Sequence, residues 1–260
     1  MAKIITCNTN GIRSAAAKGF FDWLQAEQAD VVCIQETKAQ RDQLTDPVFS
    51  PEGYHCFYND AVKKGYSGTA LYSRIKPQRV LSRLGWDPLD SEGRYTQADY
   101  KGLSVISLYM PSGSSSDAAL QKKLRFMDTF MEQMRTLRRA RREVIICADW
   151  NICHQPIDLK NWRANQKNSG FLPEERAWLD VLYDQVGFVD AFRLVNQESE
   201  QYTWWSNRGQ ARANNVGWRL DFQVISPGLV PAVQSAAIYK EQRFSDHAPL
   251  SMQYDLQITG

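Results

Sequence analysis

VIICADWNICH, residues 144–154, turns from apolar to polar in the space of two residues. Val144, Ile145, Ile146, Cys147 and Ala148 make a short run rich in β-branched side chains, the pattern of a strand buried on both faces. Asp149 and Asn151 follow, with only Trp150 between them. Asp and Asn favour turns, so a strand-ending loop accounts for them without any chemistry. Delivery of a carboxylate and a carboxamide to a reaction site at the strand's end accounts for them equally well.

The arrangement recurs along the chain. Ile4-Ile5-Thr6-Cys7 runs into Asn8 and Asn10, and Val31-Val32-Cys33-Ile34 runs into Gln35 and Glu36. A third apolar stretch ends at Tyr109 and breaks at Pro111, and Asp246-His247 immediately precedes Ala248-Pro249-Leu250. Asp221 lies inside an apolar strand pattern, where a carboxylate is costly unless paired or hydrogen-bonded. Each has an ordinary explanation when taken singly. Asn8, Asn10 and Glu36 read as turn and surface residues, Tyr109 as a core aromatic, and Asp221 and His247 as bonded structural partners. Together, on one rim, they make a carboxylate cluster with one imidazole and one phenol, a donor set suited to a hard divalent cation such as Mg²⁺.

Strands are expected at 3–7, 30–35, 54–58, 69–73, 95–100, 103–109, 143–148, 219–225 and 250–254, and helices at 15–28, 117–142 and 173–186. Ser116 closes a Pro/Gly/Ser stretch and can cap the long helix. The basic run Arg138, Arg139, Arg141 and Arg142 at its other end reads as a solvated face complementing the helix dipole. Helices interleave with strands throughout, which predicts an α/β class with two sheets packed face to face and helices outside. At 260 residues, the chain is long enough for a substantial core. Net charge is only +2, so a nucleic-acid site must come from local clustering rather than from a global field. Five cysteines without a CxxC pair argue against a disulfide framework or a zinc site. Reduced thiols, no membrane span and no leader-like apolar stretch set a cytoplasmic location as the expectation.

CNTNGIRS, CIQETK, EGRY, SLYMPSGS, ADWNICHQPIDLKNW, NQKNSGFLPEER, YTWWSNRGQARANNVGWRLD and FSDHAPL follow one another in this order. In content and order they resemble the exonuclease III / AP endonuclease family of the endonuclease–exonuclease–phosphatase superfamily. The resemblance implies one domain over 1–260, folded as a four-layer α/β sandwich of two mixed sheets with helices outside. It implies hydrolysis 5′ to abasic sites, with 3′-end cleaning and 3′→5′ exonuclease activity, by a monomer acting on double-stranded DNA with abasic sites or blocked 3′ ends. Mg²⁺, replaceable by Mn²⁺, would be held chiefly by Glu36, with Asn8, Asn10 and Asp246 nearby and Asp149, Asn151 and His247 contributing. Asp149 would activate the attacking water and Asn151 would hold water and phosphate. His247, buttressed by Asp221, would donate to a phosphate oxygen, and Tyr109 would touch the same phosphate or assist the leaving group. Arg94, Asn165, Asn168, Ser169, Trp204, Arg208, Arg212, Trp218 and Leu220 would bind DNA and the abasic sugar.

Ala148 stands where the family usually has Gly, Ser112 where many members have Asn, and Asn10 where some have Asp. Two alternatives stay open on sequence. One is a relative specialised in 3′→5′ exonuclease work, and the other a non-catalytic regulator like the catabolite-repression-control proteins. Retention of Glu36, Asp149, Asn151, Asp221, Asp246 and His247 argues against the regulator.

Overall fold

Strand register brings the polar ends to one rim. The computed structural model describes residues 1–260. Its strands in the N-terminal half are β1 (Ala2–Asn8), β2 (Val31–Gln35), β3 (His55–Asn59), β4 (Thr69–Ser73), β5 (Arg79–Leu81), β6 (Tyr95–Tyr100) and β7 (Leu103–Tyr109). The remainder are β8 (Glu143–Asp149), β9 (Val189–Asp190), β10 (Trp204–Trp205), β11 (Gly217–Trp218), β12 (Asp221–Ile225), β13 (Val233–Ile238) and β14 (Leu250–Tyr254). One six-stranded sheet has the order β13-β14-β1-β2-β4-β3 and the other β5-β6-β7-β8-β12-β9, while β10 and β11 form a separate ribbon.

β1 and β2 are parallel with Asn8 opposite Gln35, and β7 and β8 are parallel with Tyr109 opposite Asp149. Antiparallel β12 sets Asp221 opposite Asp149. Antiparallel β14 sets Leu250 opposite Thr6, so Asp246 and His247, just before it, fall beside the end of β1. Pairing therefore gathers the strand ends on one rim, and the short turns beside them carry Asn10, Glu36, Asn151, Asp246 and His247.

Period-two alternation builds the layers. Ile4, Val31 and Cys33 face the second sheet, while Ile5, Cys7, Val32 and Ile34 face the opposite way. Two helices, α1 (Ile12–Ala16) and α2 (Phe20–Glu27), cover that outer face through Phe20, Phe21 and Leu24. The second sheet is covered by α3 (Asp117–Arg139), while short α4 (Trp162–Asn165), α5 (Pro173–Asp180) and α6 (Ala191–Val195) complete the helices. Phe126, Phe130 and Met134 of α3 and Trp178 and Leu179 of α5 are buried in the main core. Each such side chain contributes roughly 1.5–3 kcal/mol by leaving water. The result is a four-layer α/β sandwich.

Several elements depart from the sequence pattern. The helix expected at 15–28 is two helices, divided before Gly19, whose φ of 84° lies in the left-handed region that glycine adopts without steric cost. The helix expected at 173–186 is α-helical only to Asp180 and loosens into a π-helical turn, Val181–Val186, that ends at Gly187. α3 stops at Arg139, and Ser116 Oγ accepts from the Ala119 amide as its cap. Arg142 is not part of a solvated face. Its Nη2 donates to the carbonyls of Tyr100 and Leu103, and Nη1 pairs with Asp99 at 3.4 Å. All five cysteines are free thiols. No helix is long and apolar enough to cross a membrane.

Candidate active site

A cleft of about 860 Å³ opens on the rim, lined by Asn10, Glu36, Tyr109, Asp149, Asn151, Asp246 and His247 from the strand ends. Trp204 and Trp218 line it from the β10–β11 ribbon, and Leu220, Asn168, Ser169 and Arg208 from loops. The strand-end group and most of the expected DNA contacts thus share one concavity.

Asn151, at a φ of 50°, turns the chain back so that its amide N–H donates to Asp149 Oδ1 at 2.9 Å. Its side-chain Nδ2 donates to the Met110 carbonyl at 2.9 Å and lies 3.3 Å from Asp149 Oδ2. Asn8 sits one layer behind, fully buried. Its Nδ2 donates to Asp149 Oδ2 at 2.7 Å and its Oδ1 accepts from the Asn10 amide at 2.8 Å, so both ends are committed to protein. His247 Nδ1 is 2.7 Å from Asp221 Oδ2, which leaves Nε2 for the cleft. Thr203 Oγ1 accepts from the Asp221 amide at 3.0 Å.

Charge is uneven here. Burial, then the Asp221 carboxylate, pushes the Asp149 pKa up to about 7, against the opposing pull of His247 and the Asn8 and Asn151 donors. Burial alone would lower the imidazole's pKa, but Asp221 at bonding distance, with Asp149 and Asp246, raises His247 to about 10. The imidazole is therefore an imidazolium at neutral pH, with Nε2–H available as a donor. Burial, with Glu36 and Asp149, raises the Tyr109 phenol well above its usual range, and Arg94 acts in the other direction. Burial would raise Asp246, yet His247, Asn10 Nδ2 and Trp204 Nε1 hold it below the usual carboxylate range.

The groups fit a divalent cation. Glu36, Asp149, Asp221 and Asp246 outnumber the nearby cations His247 and Lys38, and Asp221 Oδ1 is buried without a partner. Asp149, Asp221 and His247 place ligand atoms within 4.8 Å of one another, but His247 and Asp221 are already bonded to each other. The more open oxygen set is Glu36, Asn10 and Asp246. Lys38 Nζ now bridges Glu36 Oε1 at 3.0 Å and Asn10 Oδ1 at 2.5 Å, which marks the preference of that spot for positive charge.

Other residues lie elsewhere than the motifs suggested. Arg94 is buried beneath Tyr109. Its guanidinium carbon is 4.7 Å from the phenol ring centroid, and it donates to Glu92, the Tyr109 carbonyl and Tyr66 Oη. It holds Tyr109 and is not exposed at the surface. Asn165 is outside the cleft, where its Oδ1 accepts from Asn168 Nδ2 at 2.8 Å. Arg212 is also outside, packed over the Trp205 ring at 4.9 Å. Sequence reasoning missed Lys38 and the serine loop Ser114, Ser115 and Ser116, which lines the cleft at the start of α3.

A family model described as Endonuclease/Exonuclease/phosphatase family matches residues 5–247. The chain belongs to that family. Among its relatives, an exodeoxyribonuclease of Bacillus subtilis is 37% identical over 252 residues, covering 96% of this chain and 98% of the relative. An AP endonuclease from Archaeoglobus fulgidus superposes with a TM-score of 0.90 at 28% identity, covering 98% of this chain and all of the other. A 3′-5′ exonuclease from Neisseria meningitidis superposes with a TM-score of 0.88 at 26% identity, covering 98% of this chain and 100% of that one. Membership in the exonuclease III / AP endonuclease type follows from these matches, and the family member described here is an enzyme, a hydrolytic nuclease.

Proposed function

We propose that this nuclease hydrolyses DNA phosphodiesters 5′ to abasic sites and clears blocked 3′ ends, in base excision repair. The observation that carries the reading is the shared cleft. Asp149, Asn151, His247 and Tyr109 line one part of it, and Trp204, Trp218 and Leu220 line another. An extruded sugar without a base calls for a compact apolar recess beside the hydrolytic groups. Trp204 and Trp218 meet edge to face, with centroids 6.4 Å apart, and are only partly buried.

The residues divide the work by chemistry. Asp149, with a pKa near neutrality, takes a proton from the attacking water. Asn151, fixed by Asp149 and the Met110 carbonyl, orients that water and a phosphate oxygen. The His247 imidazolium donates from Nε2 to the developing charge on the phosphate, held in orientation by Asp221. Tyr109, kept protonated by burial, donates toward the leaving side. Glu36, Asn10 and Asp246 would hold a divalent cation such as Mg²⁺ or Mn²⁺, which would supply positive charge against the reacting phosphate.

Lys38, Lys167 and Arg208 line the cleft and suit a duplex backbone, and further basic side chains pack on two aromatic rings outside it. Lys63 and Lys122 lie 5.2 and 5.6 Å from the Tyr66 ring, while Arg212 and Lys240 lie 4.9 and 5.8 Å from Trp205. Rates on an internal abasic duplex and on a 3′-phosphate duplex, each with and without EDTA, test the proposal. Metal-dependent cleavage of both is expected. Cleavage of the 3′ end alone would favour the exonuclease-specialised reading.

A further inference from the structure

Lys123 and Glu175 form an ion pair with neither side chain exposed, although neither lines the cleft. Lys123 comes from α3 and Glu175 from the first turn of α5. A buried pair carries a desolvation cost that apolar residues of similar size avoid, so its retention calls for another reason. Its remaining bonds supply one. Lys123 Nζ also donates to the Asn151 carbonyl at 2.7 Å. Glu175 Oε1 accepts from Ser169 Oγ at 2.9 Å, and Oε2 accepts from the amides of Gly170 at 2.6 Å and Leu172 at 2.9 Å. The Gly170 carbonyl in turn accepts from the Cys153 amide at 2.8 Å. Ser169 and Gly170 are one wall of the cleft, and Asn151 carries the carboxamide on its floor. Asn151 sits at a φ of 50°, in the left-handed region that Asn tolerates better than most non-glycine residues, so its carbonyl is turned where Lys123 reaches it.

We propose that Lys123 and Glu175 are positioning residues: one buried ion pair fixes the Asn151 backbone and the Ser169–Gly170 wall in a common register. Lys123 aims the carboxamide by its bond to the Asn151 carbonyl, and Glu175 sets the wall against it. The inference rests on the reading above that Asn151 contacts the reacting phosphate. Burial pulls the Lys123 pKa below its usual value, and Glu175 and Asp149 oppose that pull in favour of the charged form.

The test pairs a single with a double variant. Lys123→Met leaves Glu175 buried without its partner and lowers Tm by roughly 5–10 °C. Lys123→Met/Glu175→Gln removes both charges at similar volume and recovers most of that loss. Methionine offers no donor to the Asn151 carbonyl, so kcat in the double variant stays about 10- to 100-fold below wild type, with KM within about threefold. A second readout needs no substrate, namely the side-chain amide resonances of Asn151 in ¹⁵N-labelled protein, shifted or broadened in the double variant. Recovery of kcat together with Tm, or an Asn151 signal coinciding with the wild type, overturns the proposal. Failure of wild type to cleave either abasic or 3′-phosphate duplexes would instead overturn the functional reading, and the Asn151 signal would still decide the positioning.

Discussion

Asp149 and Asp221 stand opposite each other in the β8–β12 register, and His247 binds the second of them through Nδ1 at 2.7 Å. One carboxylate thereby gains an imidazolium partner while the other stays available to water. Asp149 is a base only above its pKa of about 7, and His247 a donor only below about 10, so kcat should follow a bell with limbs near those values at low metal. Rising metal concentration should move the acidic limb down, since added positive charge favours the carboxylate. Asp221→Asn removes a charge that raises both groups, so both limbs should move to lower pH. A kcat profile in which neither limb moves would show that Asp221 does not set these protonation states.

Glu36 probes the metal. Its carboxylate lies beside Asn10 and Asp246, with Lys38 as the nearest cation. Glu36→Ala should lose about 10²-fold or more in rate at low Mg²⁺ and recover in part at high Mg²⁺ or Mn²⁺. Mn²⁺ binding followed by electron paramagnetic resonance should weaken in parallel. Wild-type cleavage that resists EDTA would remove the metal from the mechanism.

A buried ion network behind the site governs acid stability. Asp158 Oδ1 accepts from Arg219 Nε at 2.8 Å and Arg193 Nη2 at 2.6 Å, and Arg219 also pairs with Asp190. Burial would raise the Asp158 pKa, but the two guanidinium groups lower it to about 2. A depressed folded-state pKa contributes stability that is complete above the unfolded value near 4 and is lost as pH falls toward 2, roughly 2 kcal/mol in all. Thermal unfolding between pH 5 and 2 should show this loss in wild type. Asp158→Asn should be less stable at pH 5 and flatter across the window. Parallel curves for the two proteins would contradict this assignment.

What was legible in the chain follows from what a local pattern can encode. An apolar run that stops at Asp149, Tyr109 or Glu36 states that a strand ends in a polar group, and parallel or antiparallel pairing then fixes the rim. Ser116 showed as a cap for the same reason, being one residue in one role. Arg94 could not be placed, because its burial depends on Tyr66 and Tyr109 closing around it from other segments, with Glu92 beside it in the chain. Lys123 carried a signal that went unused. It lies on the stripe of Leu120, Leu124 and Met127, where a lysine is out of place unless an acid meets it. The strands β5, β9, β10 and β11 have two or three residues each, too few to show any period.

Salt dependence probes the DNA track. Arg208 is exposed at the cleft, and Arg212 and Lys240 share the Trp205 ring beside it. Affinity for duplex should fall steeply with salt, and Arg208→Ala/Arg212→Ala should reduce the slope of log K against log salt by about 1–2. A slope equal to wild type would place the backbone elsewhere.

Ser169 decides between substrates. It lines the cleft beside Trp218 and Leu220, and its hydroxyl donates to Glu175. Space around it is limited on two sides. Glu175 and Lys123 are fully buried behind it, and a Cβ built on Gly113 would come within 2.5 Å of Ser169 Oγ. The next position along the wall is tight as well, since a Cβ on Gly170 would meet Trp218 at 3.1 Å. An imidazole at 169 has only the cleft left to occupy, at the mouth of the recess an extruded sugar must enter. Ser169→His should therefore lower cleavage at an internal abasic site by about 10²-fold, as misplacement at a reacting centre does. Hydrolysis at a 3′-phosphate, where less extrusion is needed, should stay within a few-fold of wild type. Ser169→Ala loses the Glu175 bond but adds no bulk, so it separates the steric effect from the lost hydrogen bond and should lower both rates alike, by no more than about a few-fold, since Glu175 still holds the Gly170 and Leu172 amides. Equal loss on both substrates in Ser169→His, or none on either, would remove the recess from the account of specificity and favour a nuclease confined to 3′ ends.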